Sequence, residues 1–108
     1  MATQSVTVVR IYVREGEHAV AKLMKFLQNE AKVAGATVFR GTSGFGPDGK
    51  THTSSLLALS LDLPEIVEFY DTPERVEAVL TLIEDKMPLP HIISWPAFLH
   101  LPSAPIGR

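Results

Sequence analysis

Gly35-Ala36-Thr37-Val38-Phe39-Arg40-Gly41-Thr42-Ser43-Gly44-Phe45-Gly46-Pro47-Asp48-Gly49-Lys50-Thr51-His52-Thr53-Ser54-Ser55, followed by the run Leu56 to Leu63, is the stretch on which the fold turns. It interrupts a regular alternation of strand and helix patterns with a segment that hydrophobic burial alone does not explain. Four glycines and a proline fall between Gly41 and Gly49. The backbone there can take positive φ angles and cannot propagate a helix or a central strand, so a long loop is expected. Loops of this length inside a compact domain are uncommon unless they bind something or lack fixed structure, which makes this segment the first place to look for function.

On either side of the loop the periodicities are plain. Thr37 to Thr42 is short and β-branched and reads as a strand running straight into the glycines. Beyond them Leu57, Leu59, Leu61 and Leu63 alternate with Ala58, Ser60 and Asp62, the period of two of a half-buried strand. Pro64 breaks or bends it, because proline cannot donate to the ladder. Extended structure resumes from Glu65 to Tyr70 through Ile66, Val67 and Phe69, so the loop should rise from the sheet on a β-stem.

Upstream, Ser5 to Arg14 is β-branched or aromatic almost throughout and predicts a central strand, with Arg10 and Arg14 on one face. Glu17 to Ala34 carries Val20, Leu23, Met24, Leu27, Ala31 and Ala34 at helical spacing, with Gly35 as the stop. Phe26 and Val33 lie off that stripe and point either to burial under a loop or to contact with an adjoining subunit. Downstream, Thr72 is the expected cap, Pro73 the first helical residue and Glu74 the complement to the dipole of a second helix. Val76, Val79, Leu80, Ile83 and Met87 form its buried stripe, and Pro88 ends it. His91 to Leu101 is the last strand, with Pro96 marking it as an edge. Residues 1–101 are expected to form a single domain and residues 102–108 a flexible tail.

The order β-α-β-loop-β-α-β is the split βαβ plan, an α+β ferredoxin-like βαββαβ sandwich with a long loop between strands 2 and 3. It places the first and third strands at the sheet centre and both helices on one face. Several strands carry apolar residues at both parities, so the other face is expected to pack against further copies of the chain. The chain has 108 residues, 45% of them hydrophobic, and a formal charge of -2, which argues against a nucleic-acid surface. The absence of cysteine excludes disulfides, thiolate chemistry and cysteine-held metals. The apolar runs are far short of the roughly 20 residues that a spanning helix needs, so no membrane insertion and a cytoplasmic location are expected.

At Gly35 to Gly41, Gly44-Phe45-Gly46, His52-Thr53-Ser54 and Ser60-Leu61-Asp62-Leu63-Pro64 the sequence resembles the PII-like proteins of the DUF190, or UPF0166, family. That family looks like a relative of the PII nitrogen-regulatory proteins. The resemblance implies a ring-shaped homotrimer that binds nucleotides or other metabolites between subunits. It also implies a long loop that changes conformation on binding and docks onto a membrane transporter, a channel or an enzyme. Gly44-Phe45-Gly46 is similar to the Gly-Phe-Gly that begins the PII loop. Where PII proteins follow the second helix with a glycine-, aspartate- and lysine-containing phosphate loop, this chain has Met87-Pro88-Leu89-Pro90.

Residue chemistry leaves two function classes. Gly41-Thr42-Ser43-Gly44-Phe45-Gly46 could turn backbone N–H groups onto a phosphate or carboxylate, with Arg40, Lys50 and His52 supplying charge. It could equally be a hinge that lets a long loop fold back. Gly49-Lys50-Thr51 is no Walker loop, because the upstream glycine and the following helix are missing. His18, His52, His91 and His100 show no metal-ligand spacing, and no nucleophile elbow surrounds the serines. A non-catalytic sensor of a small anionic metabolite or nucleotide, with no resident cofactor, is the expected function. The expected ligand contacts are Arg40, Gly41, Gly44, Phe45, Gly46, Lys50 and His52. The alternative is a small cofactor-free enzyme working in the same cleft.

Overall fold

The structure is a computed structural model and describes residues 1–13, 17–45, 51–53, 64–87, 89 and 91–103. Eight elements follow in the order β1 (Ala2–Val13), α1 (Glu17–Asn29), β2 (Ala36–Arg40), β3 (Ser43–Phe45), β4 (Thr51–Thr53), β5 (Glu65–Asp71), α2 (Pro73–Lys86) and β6 (Ile92–Leu101). Four of the strands form an antiparallel sheet in the order β2-β5-β1-β6. The ferredoxin-like α+β plan read from the periodicity is therefore the one observed, with β1 and β5 central and Pro96 on an edge strand. The alternating run from Leu57 to Leu63, Arg14 and Pro88 lie outside the described residues.

Strand parity divides the sheet into two unlike faces. Val9, Ile11 and Val13 of β1 and Val67 and Phe69 of β5 point to the helices. With Val20, Leu23, Phe26, Leu27 and Ala31 from the α1 segment and Val76, Val79 and Ile83 from α2, they make one contiguous core. Phe26, off the main stripe in the sequence, is buried in this core, and Val33 packs against it. Their apolar contact is thus with this core.

The first helix ends earlier than its apolar pattern predicts. It stops at Asn29, Lys32 takes a left-handed φ of 54°, and Ala34 is exposed. Gly35, expected as the stop, lies beyond the turn that does the stopping. That turn is widened: Ala31 N donates to Phe26 O at 2.9 Å and Val33 N to Leu27 O at 3.0 Å. The Arg75 guanidinium from α2 donates to the carbonyls of Ala31 (2.6 Å) and Lys32 (3.2 Å), placing a cation where the helix dipole ends negative. Its Nε lies 3.7 Å from Asp71. A side chain distant in sequence thus binds the turn that follows α1, a contact that a local pattern cannot reveal.

The start of α2 is as expected. Thr72 Oγ1 accepts from Arg75 N at 3.3 Å, Pro73 opens the helix, and Thr72 N donates to Asp71 Oδ1 at 2.8 Å.

Two substitutions test the closure of α1. Lys32→Gly should raise unfolding stability by about 1 kcal/mol, because the left-handed conformation costs a side-chain-bearing residue roughly that much. Arg75→Ala should lower it by about 1–2 kcal/mol through loss of bonds from a charged donor. Urea denaturation measures both, and a Lys32→Gly variant no more stable than the parent would refute the strain.

Candidate functional site: a chamber at the root of the hairpin

Within the glycine segment the described residues include a short paired stretch. β3 and β4 pair as a separate two-stranded hairpin, with Ser43 opposite Thr53, Gly44 opposite His52 and Phe45 opposite Thr51. Glycine is tolerated here because the pair is only three residues long and stands apart from the main sheet.

The root of the hairpin is fixed by Pro64. Register pairs Arg40 with Glu65, and one step on Gly41 N donates to Pro64 O at 2.7 Å. Pro64 has no N–H to return, so the ladder ends and the chain leaves the sheet. A Cβ at position 41 would lie 2.9 Å from Pro64 Cγ and 3.1 Å from its carbonyl oxygen; one at position 44 would lie 3.2 Å from Pro64 Cγ. Glycine at 41 is thus required by the approach of the proline. Its N–H is committed to that contact.

Behind this junction lies a cavity of about 530 Å³, within the range of small-ligand sites. The hairpin contributes Gly41, Ser43, Gly44 and Phe45. The β5 start contributes Pro64, Glu65 and Ile66, β1 contributes Tyr12, and His91 to Ile93 close the far side. Tyr12 N donates to His91 O at 2.9 Å, which ties the end of β1 to the start of β6 across the cavity wall.

Of the seven predicted ligand contacts, Gly41, Gly44 and Phe45 line this chamber. Arg40 does not. Its register partner is Glu65, on the helix-facing parity with Val67, and Arg40 Nη2 lies 3.6 Å from the buried Glu65 carboxylate. His52 is paired through its backbone with Gly44; Gly46 and Lys50 lie outside the described residues. Tyr12, Pro64, His91 and Ile93 were not among the expected ligand contacts. The signal that could have found them is the strand order, which brings the end of β1, the start of β5 and the start of β6 to one end of the sheet.

Of its lining, Tyr12, Ile66 and Ile93 share strand parity with the sheet face that no helix covers, and Glu65 and Ile92 with the helix-facing side. On the uncovered face Phe39, Tyr70, Ile93 and Trp95 are each more than a third exposed. At their centre Arg10 Nε donates to Glu68 Oε1 at 2.6 Å, and its guanidinium carbon stands 5.9 Å from the Phe39 ring centroid and 5.5 Å from that of Trp95. The hydrogen bond to Glu68 raises the Arg10 pKa above its ordinary value, against the lowering effect of desolvation. Among the described residues no group of His, Asp or Glu side chains is arranged to hold a metal, and no helix is long and apolar enough to cross a membrane.

An antiparallel four-stranded sheet with two helices on one face is a fold shared with PII-like proteins of known structure. The chain belongs to the family DUF190, described as uncharacterized ACR, whose model matches residues 6–98. A UPF0166 protein of Methanocaldococcus jannaschii is 36% identical over 78 residues, covering 68% of this chain and 70% of its own. Among solved structures, CPII, a nitrogen regulatory PII-like protein from Thiomonas intermedia K12 bound to ADP, AMP and bicarbonate, superposes with a TM-score of 0.64. It is 16% identical, with 91% of this chain and 89% of that one covered. CutA1 from Oryza sativa gives 0.61 at 18% identity, with 88% and 82% covered. At these identities the two structures speak for the fold.

The junction can be tested directly. Gly41→Ala should destabilise the protein by about 1–3 kcal/mol through overpacking against Pro64. Adding Pro64→Ala should restore part of that, since the nearest clashing atom is then gone. Chemical denaturation of the two variants decides: an unchanged Gly41→Ala variant would remove the constraint.

Proposed function

We propose that this chain is a non-catalytic PII-like regulatory protein. A small metabolite, with nucleotides and other anionic effectors as the classes to test, binds in the chamber against Gly41, Gly44 and Phe45. Arg40, Gly46, Lys50 and His52, from the same segment, are the further candidate contacts. The bound ligand shifts the population of hairpin positions, and the hairpin carries that change to a protein partner, a membrane transporter, channel or enzyme.

The observation that carries this function is the position of the chamber. One wall is the hairpin root, held by the Gly41–Pro64 contact, and the other is the rigid end of the sheet. A ligand there touches the hairpin and the sheet at once, so it can have different affinities for different hairpin positions. Without such a difference no shift could occur.

The chain acts as a homo-oligomer, a trimer by resemblance, with the uncovered sheet faces turned inward. Support comes from the exposed aromatic and aliphatic side chains around the Arg10–Glu68 pair, a patch that water solvates poorly. The chamber then lies at the seam between copies.

Sedimentation equilibrium on the purified protein should show a trimer. Ile93→Asp, half exposed and so harmless to the isolated fold, should yield folded monomers. A parent protein that sediments as a monomer at working concentration would sink the assembly. For the ligand, melts with nucleotides and anions should show stabilisation near about 2.7 kcal/mol at ~100 times the dissociation constant, with the ligand recovered unchanged. Turnover of the ligand would instead establish an enzyme.

A further inference from the structure

The helix layer carries a groove of its own, distinct from the chamber and sharing no residue with it. Between α1 and the end of α2 lies a depression of about 360 Å³, floored by Phe26 and Met87 and rimmed by Lys22, Lys25, Lys86 and Glu30. Lys22 and Lys25 stand one turn apart on α1, and Lys86 closes α2. On the other flank of α2, toward β6, the charged lining is Glu77 and Glu84. Charge is thus segregated across the helix layer, and a chain of formal charge -2 gathers three lysines around one apolar floor.

Two local partners temper these cations. Lys86 Nζ lies 3.3 Å from Glu30 Oε2, with both side chains about half exposed. The C-terminal end of α2 adds about half a negative charge, so that with Glu30 roughly half of the positive charge is offset and the rim keeps an excess. An exposed lysine is a flexible, well-hydrated point charge, and a lone small anion gains little from it. Several carboxylates on one chain can engage all three lysines together, and an apolar side chain of that same chain can cover Phe26 and Met87. An anionic lipid surface would meet the lysine tips but leave the floor uncovered.

We propose that the groove between α1 and α2 is a docking surface for an acidic amphipathic helix of a partner protein, with carboxylates on Lys22, Lys25 and Lys86 and an apolar side chain on Phe26 and Met87. Glu30 holds Lys86 until a carboxylate of the partner takes its place. The groove lies on the side of the sheet away from the exposed aromatic face, so it stays open when copies assemble through that face.

The test uses the full-length protein and a fluorescein-labelled helical peptide of about 14 residues, the length of three to four turns, with glutamates on one face and leucines on the other. Fluorescence anisotropy should show binding that added salt weakens, and no binding when lysines replace the glutamates or serines the leucines. Lys22→Glu combined with Lys25→Glu, at exposed positions, should melt like the parent and bind about tenfold more weakly. Glu30→Gln should bind more tightly than the parent, because Lys86 is then unclaimed. An acidic peptide that fails to bind, or that binds the double variant as tightly as the parent, would overturn the docking surface. Weaker binding by Glu30→Gln would overturn the exchange at Lys86. Phosphatidylserine vesicles that capture the parent and not the double variant, while the peptide binds neither, would make the groove a membrane contact and overturn the protein partner.

Discussion

A four-stranded antiparallel sheet with helices on one side has to dispose of its other side, and most of this molecule's features follow from how it does so. The covered face is an ordinary core, in which Val9, Ile11, Val67 and Phe69 are fully enclosed by α1 and α2. The uncovered face is neither polar enough for a solvated surface nor apolar enough for an interior. It carries Phe39, Tyr70, Ile93 and Trp95 around a hydrogen-bonded arginine and glutamate. Such a mixture suits a surface that is buried on assembly, because a charged pair already satisfied within one subunit can be covered without leaving either charge unpartnered. Flanking rings on Arg10 shield that pair further.

The same sheet positions the chamber. Where β1, β5 and β6 meet at one end, Tyr12, Ile66 and His91 stand on the uncovered side, and the chain has to leave the sheet there because Pro64 cannot continue the ladder. Pro64 is thus both the end of a strand and the wall of a cavity. Its ring forces glycine at 41 and favours it at 44, which gives two of the conspicuous glycines a packing cause independent of any ligand. The same few residues thus form both the junction with the sheet and part of the proposed ligand wall.

Much of this was legible in the sequence, for identifiable reasons. The strand and helix order came from periodicity, and the split βαβ plan followed because few topologies fit that order. The cap at Thr72 and the edge position of Pro96 are local signals, and both hold. The end of α1 was missed: the turn after it has Lys32 at positive φ and is bound by Arg75, 44 residues away from the Ala31 carbonyl. Phe26 was left open between burial and a subunit contact, and the core takes it. At the site, the glycines and Phe45 were visible as anomalies of composition. Tyr12, His91 and Ile93 are unremarkable in sequence and become a wall only when three strand ends are brought together. The resemblance to the PII-like family, carried by the glycine blocks, was confirmed by the family match over residues 6–98.

Trp95 is the single tryptophan of the chain and sits on the uncovered sheet face, so its fluorescence reports whether that face is wet. Acrylamide quenching across a dilution series is the most direct measurement. If copies assemble through this face, Trp95 is shielded and emits to the blue at high protein concentration, and both properties are lost together on dilution through the dissociation range. Equal, ready quenching at every concentration, with a red-shifted emission throughout, would show that the face stays in water and would contradict the assembly on which the function rests.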